Sequence, residues 1–170
     1  TFETFQLRQR KWRLCEESQH LTIPLVNASA CKCGPKRIYL LGGLSAEDQF
    51  LSSIERYNTV LGIWTVLDVK LPAPTTNNFA FSFNADYIVL LGGMLKKDEK
   101  FIPRESSKAF ELQDKVHVLK TKSNKWKELK PFPFKKKLGN VVYNNHGKFF
   151  CFVVESNKEL PQLFVYDVRS

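Results

Sequence analysis

The chain is short of almost everything that marks a chemical centre. It has 3 histidines in 170 residues, His20, His117 and His146. None has a motif around it, and a catalytic nucleophile needs a base held beside it. Glycines number only 8, and no G-x-x-x-x-G-K-[ST] phosphate loop occurs among them. No apolar run is long enough to cross a bilayer, and no secretory leader is visible. The 4 cysteines, Cys15, Cys31, Cys33 and Cys151, suggest no disulfide scaffold in a chain of this size. A zinc site drawn from Cys15, His20, Cys31 and Cys33 would rest on a Cys-X-Cys pair, not the usual C-x2–4-C spacing. Cys151 lies in an apolar run and reads as a small buried hydrophobe. The expectation is a non-catalytic chain with no cofactor and no metal, from a reducing, cytoplasmic compartment.

What the sequence does have is repetition. Arg37-Ile38-Tyr39-Leu40-Leu41-Gly42-Gly43 returns as Tyr87-Ile88-Val89-Leu90-Leu91-Gly92-Gly93. Each copy is a short apolar run closed by a glycine pair. Runs of that length with β-branched and aromatic members read as strands buried on both faces. The glycines permit positive φ and let another backbone come close. A period near fifty predicts a repeat architecture.

The repeat extends further. Ile54-Glu55-Arg56-Tyr57-Asn58 alternates as a half-buried strand does, and Trp64 follows Tyr57 by seven. Val116-His117-Val118-Leu119-Lys120 is its counterpart, with Trp126 seven after Leu119. Phe5 and Trp12 show the same spacing at the start. Near the end, Phe149-Phe150-Cys151-Phe152 aligns with Ile38 to Leu41, and Leu163 to Tyr166 with Ile54 to Tyr57. Val153-Val154 stands in place of the glycines there. The units predicted are residues 1–15 (the end of one), about 22–69, about 78–130, and about 139–170 (incomplete). Inner strands are expected within Ile23 to Ala30, at Phe79 to Phe83 and at Asn140 to Tyr143.

A hydrophobic strand ending in Gly-Gly, then a Tyr, then a Trp seven further on, resembles the kelch repeat. Gly42, Gly43, Tyr57, Trp64, Gly92, Gly93, Leu119, Trp126, Trp12 and Tyr166 form the signature, with Leu119 standing where a Tyr is usual. The resemblance implies an all-β fold, a kelch-type β-propeller segment of about three four-stranded blades within a larger ring. It places the Tyr and Trp of each unit between blades. Ser53-Ile54-Glu55-Arg56-Tyr57-Asn58 … Trp64 is most similar to the BTB-BACK-kelch subgroup. That subgroup implies a substrate receptor of a cullin-type ubiquitin ligase, recruited through an upstream BTB-type domain. The alternative within the family is a cytoskeletal or scaffold protein that binds actin, tubulin or another filament. A metal-dependent propeller enzyme is a third reading, but no tyrosine–cysteine cofactor pattern or carboxylate–histidine cluster supports it.

Two loops come after the glycine pairs, Leu44–Ser53 and the longer Met94–Lys115. In the family this position lies on a binding face, so Gln49, Phe50, Lys96, Lys97, Lys100, Phe101 and Arg104 are the expected partner contacts. The formal charge is +9, with basic clusters at Arg8-Gln9-Arg10-Lys11, Lys96-Lys97 and Lys135-Lys136-Lys137. These fall in turns and connections. The aromatics are assigned to the core, which leaves no base-stacking platform, so nucleic acid is not expected. An acidic protein tail or filament surface is the expected partner type, and no membrane contact is implied.

Overall fold

The computed structural model describes residues 3–14, 20–97, 109–135, 137–144, 146–153 and 162–168. It is all-β; no α-helix occurs among these residues. The first sheet has four antiparallel strands in chain order: β4 (Ser29–Lys32), β5 (Arg37–Leu41), β7 (Ile54–Asn58) and β8 (Ile63–Val66). The second repeats it with β9 (Phe79–Phe83), β10 (Tyr87–Leu91), β13 (Val116–Lys120) and β14 (Lys125–Glu128). A third sheet has three strands, β15 (Leu138–Tyr143), β16 (Lys148–Val153) and β17 (Gln162–Asp167). A hairpin of β1 (Glu3–Gln6) and β2 (Lys11–Leu14) precedes them.

The apolar run of β10 shows why the sheets stack. Ile88 and Leu90 point into a core shared with the first sheet, beside Tyr39, Leu41 and Ile54. Val89 and Leu91 alternate into a second core with Val141, Phe149 and Cys151 of the third sheet. All four are buried. Period-two alternation with both sets apolar makes a sheet that needs a neighbour on each side.

The seven-residue spacing has a simple geometric cause. In each outer hairpin the two positions are directly cross-strand: Phe5 opposite Trp12, Tyr57 opposite Trp64, Leu119 opposite Trp126. The Tyr57 and Trp64 rings lie 5.0 Å apart. Such pairs contribute beyond the area they bury. The same positions also join neighbouring sheets. Trp126 Nε1 donates to the Lys70 carbonyl at 2.7 Å, and the Tyr166 hydroxyl donates to the Lys130 carbonyl at 2.5 Å. Trp12 departs from the inter-blade expectation. It is 68% exposed, and Phe5 is 44% exposed, because no described element covers that face of the first hairpin.

The inner strand of the first sheet is shorter than expected. Leu25–Val26 forms a separate strand, β3, paired with β6 (Leu44–Ser45) just past the glycines. Asn27 then turns the chain with φ 55°, and β4 starts at Ser29. The break is fixed by the neighbouring unit, since the Asn27 carbonyl accepts from Asn77 N and Thr76 Oγ1, each at 3.2 Å. The second unit repeats the device with a Thr76–Met94 bridge and Asn77 at φ 53°.

The glycine pairs sit where these backbones meet. Gly43 N donates to Thr75 O at 2.9 Å, tying the first unit to the second. A Cβ on Gly42 would lie 2.4 Å from that same Thr75 oxygen, whereas the nearest atom to one on Gly92 would be in the Leu138 side chain, at 3.3 Å. Both glycines have positive φ, 65° and 57°. Gly92→Ala should therefore cost about 1–2 kcal/mol of left-handed strain. Gly42→Ala should cost above about 3 kcal/mol, because backbone cannot yield as a side chain does. Urea denaturation of the two variants checks this; equal losses would contradict the close-approach role of Gly42.

Candidate protein-interaction surface

Antiparallel strands in chain order send their connections alternately to the two ends of each sheet. The β4–β5 and β7–β8 turns meet at one end, where Thr59 N donates to Lys36 O at 3.0 Å. Thr121 N to Asp86 O at 2.8 Å is the counterpart in the second sheet. The loops after the glycine pairs, and the connections between sheets, lie at the opposite end.

At the loop end, residues 44–53 fold as a tight, self-bonded turn. Ser45 N donates to Gln49 O at 2.9 Å, and the Ser45 hydroxyl donates to Glu47 at 2.8 Å. Gln49 is exposed and Phe50 half-buried. The Met94–Lys115 stretch is not wholly loop. It opens as β11 (Met94–Lys96) and closes as β12 (Phe110–Leu112), antiparallel to each other. Phe50 and Phe110 stack across the unit boundary with centroids 5.8 Å apart and planes 6° from parallel. The structure thus brings the two loops together. Lys96 and Lys97 are exposed at the top of this stem. Lys100, Phe101 and Arg104 lie outside the described residues. The Lys135 amine holds Glu111 at 2.8 Å and keeps that carboxyl below its ordinary range, so this member of the Lys135–Lys137 cluster is engaged within the fold.

Beside the stem is a cleft of about 320 Å³ between the first sheet's exit and the second sheet, lined in part by Thr75, Gln113, Lys115, His117 and Glu128. Glu128 lies 3.3 Å from Lys115 Nζ and 3.6 Å from His117 Nε2. Nothing local in the sequence signals this trio, because Glu128 reaches His117 only through the β13–β14 register.

At the turn end the described charges are nearly all of one sign. The β4–β5 turn brings Lys32, Lys36 and Arg37. Lys120, Lys122 and Lys125 flank the β13–β14 turn, and Lys148 opens β16. The described acids there are Asp86 and Asp167. Asp86 pairs with Lys122 at 2.9 Å.

The cysteines serve the fold. Cys33 is fully buried, and its thiol donates to the Ala85 carbonyl of the next unit at 3.3 Å. Burial, with help from Cys33, pushes the Cys31 thiol up to about 12, and burial pushes Cys151 to about 11. Cys15 lies outside the described residues. Among the described residues no three His, Cys, Asp or Glu gather as a metal would require, and no helix is long and apolar enough to cross a membrane.

Repeated four-stranded antiparallel sheets, stacked face to face and joined at alternating ends, define the class: these are blades of a partial β-propeller. Residues 26–68, the first sheet with its flanking short strand, match the Kelch motif. Beta-scruin of Limulus polyphemus is 26% identical over 110 residues, which take in 65% of this chain and 11% of beta-scruin. The chain therefore spans about a tenth of that relative's length. Motif, relative and sheet topology together support the kelch family for this chain.

Burial makes the thiols inert. At pH 8 a thiol with pKa about 12 is ionised in about one molecule in ten thousand. Cys31, Cys33 and Cys151 should therefore resist Ellman's reagent in the native state and react fully in urea; rapid native labelling of any of them would contradict their burial.

His117 is lowered from its ordinary 6.5, by burial first and Lys115 second, against the opposing pull of Glu128. The unfolded chain then takes up this proton before the native one. Stability should fall as pH drops through about 6.5. Melting at pH 7.5 and 5.5 should show a smaller pH effect in His117→Gln than in wild type.

Proposed function

We propose that the chain is a non-catalytic module that holds a protein partner on the loop end of its blades, as the substrate-receptor part of a cullin-type ubiquitin ligase. The observation that carries the binding surface is the Phe50–Phe110 stack. It fuses two loops from different units into one ledge, with Gln49, Lys96 and Lys97 exposed around it. Because sheets on both sides hold the ledge, little order is lost when a partner binds. Lys100, Phe101 and Arg104, in the segment between β11 and β12, complete the proposed contact set. The ligase assignment is supported by the Ser53–Asn58 … Trp64 block and its likeness to the BTB-BACK-kelch subgroup.

A second reading, a scaffold protein on a filament of actin, tubulin or similar type, is favoured by the basic turn end. Affinity purification of the native protein with mass spectrometry separates the two. Cullin and ligase subunits are the expected co-purifying proteins; actin, tubulin or axonemal proteins in their place would replace the ligase reading with the scaffold one. In the same assay Lys96→Glu/Lys97→Glu should reduce recovery of the bound target about tenfold, equivalent to about 1.4 kcal/mol. Recovery of cullin should be unchanged. Both side chains are exposed, so stability should move by no more than about 0.5 kcal/mol. Full target recovery with this variant would sink the ledge assignment.

A further inference from the structure

Among the described residues, most of the positive charge at the turn end is answered by no acid. Lys32, Lys36, Lys120 and Lys125 are exposed, and among the described residues Lys122 is the cation of this end that an acid is shown to pair. Like charges gathered with few counter-charges repel one another and weaken the compact state. The hairpin turns themselves are closed by backbone and asparagine bonds, not by lysine. Asn58 Oδ1 accepts from Val60 N and Leu61 N, and Asn84 Oδ1 from Asp86 N. Apart from Lys122, the described cationic side chains of this end take no part in these bonds.

The same end carries a concavity. Lys32, Gly34, Pro35, Ser82, Phe83 and Asn84 line most of a cleft of about 610 Å³ between the first and second inner turns. Tyr143 of the third sheet closes its far side. Phe83 and Tyr143 meet edge to face with centroids 6.4 Å apart, forming an apolar wall. Arg37 leans over Gly34, its guanidinium 3.3 Å from where a Cβ would stand.

We propose that this turn end is a second docking surface. Its occupant is an acidic protein segment that seats one aromatic or aliphatic side chain in the cleft and lays its carboxylates over Lys32, Lys36, Arg37 and Lys148. Charge complementarity selects an anion. The cleft selects a chain with side chains over a flat lipid surface, even though Val60 and Leu61 stand exposed at the β7–β8 turn. The described aromatics here are engaged with one another. Tyr143 stacks on Phe149 at 4.7 Å, so bases find no open stacking platform.

The surface is independent of the loop-end ledge, and the test keeps them apart. The probe is a fluorescein-labelled polyglutamate peptide with one central phenylalanine, read by anisotropy with the intact protein. Comparators are the all-glutamate peptide, a single-stranded oligothymidylate and phosphatidylserine vesicles. The phenylalanine peptide should bind tightest and lose about tenfold or more in affinity at high salt. Lys32→Glu/Lys36→Glu/Lys148→Glu should lower its affinity by about tenfold or more, and the matching glutamine triple variant by less. Lys96→Glu/Lys97→Glu should change it by less than about twofold, since charges beyond a screening length act weakly. Unchanged circular dichroism and melting establish that the variants fold; the glutamine set serves if the glutamate set does not. No peptide binding at low salt would overturn the proposal. So would equal loss from reversals at the two ends, or tighter binding of the oligonucleotide or vesicles.

Discussion

A sheet with two apolar faces cannot stand alone in water, and everything else in this structure depends on that constraint. β10 alternates Ile88 and Leu90 toward one neighbour with Val89 and Leu91 toward the other, and all four are buried. Each exposed aliphatic side chain would forfeit about 1.5–3 kcal/mol of burial. The sheets therefore stack face to face, and at the loop end each is tied to the next. Trp126 reaches back to Lys70, Tyr166 to Lys130, and Gly43 forward to Thr75. The ties give the Lys70, Lys130 and Thr75 carbonyls a donor from the neighbouring unit. The third sheet lacks a described neighbour on one side, and there Val142, Leu163 and Val165 are more than half exposed.

Much of this was legible because its causes are local. Seven residues is the separation at which a hairpin of this length places two side chains directly opposite, so Tyr57 and Trp64 reveal the hairpin before any coordinates do. The first glycine pair likewise marks a backbone contact, with Thr75 O, that a side chain on Gly42 could not share. Strand limits at β7, β9 and β13 come from the alternation of apolar residues. Leu119 keeps its place opposite Trp126 without the hydroxyl, because the position is first a packing position.

Local patterns are silent on what neighbouring units do to each other. The early break at Asn27 is enforced by Thr76 and Asn77, fifty residues away, and no local propensity announces it. Buried Ser29 is bonded only because two units abut: its Oγ donates to Asn78 of the next unit, whose Nδ2 in turn donates locally to Thr75 Oγ1. The Phe50–Phe110 stack and the His117–Glu128–Lys115 trio are of the same kind. The charge asymmetry was hidden for another reason. Basic residues such as Lys32 to Arg37 and Lys135 to Lys137 both fall in connections, yet the first lie at the turn end and Lys135 reaches Glu111 at the loop end. Only the parity of the connections separates them.

That parity has an electrostatic consequence. The strands that separate the ends run to five residues in β5 and β10, or about 16–17 Å at a strand's rise. Screening at physiological ionic strength acts over about 8 Å. A charge at the turn end is therefore felt weakly at the loop end, and a partner at one end neither steers nor repels a partner at the other through the field. A stack of blades is then suited to holding two partners at once. Its rigid middle fixes their distance, and the two chemistries, an apolar ledge with lysines and a basic cleft, stay independent.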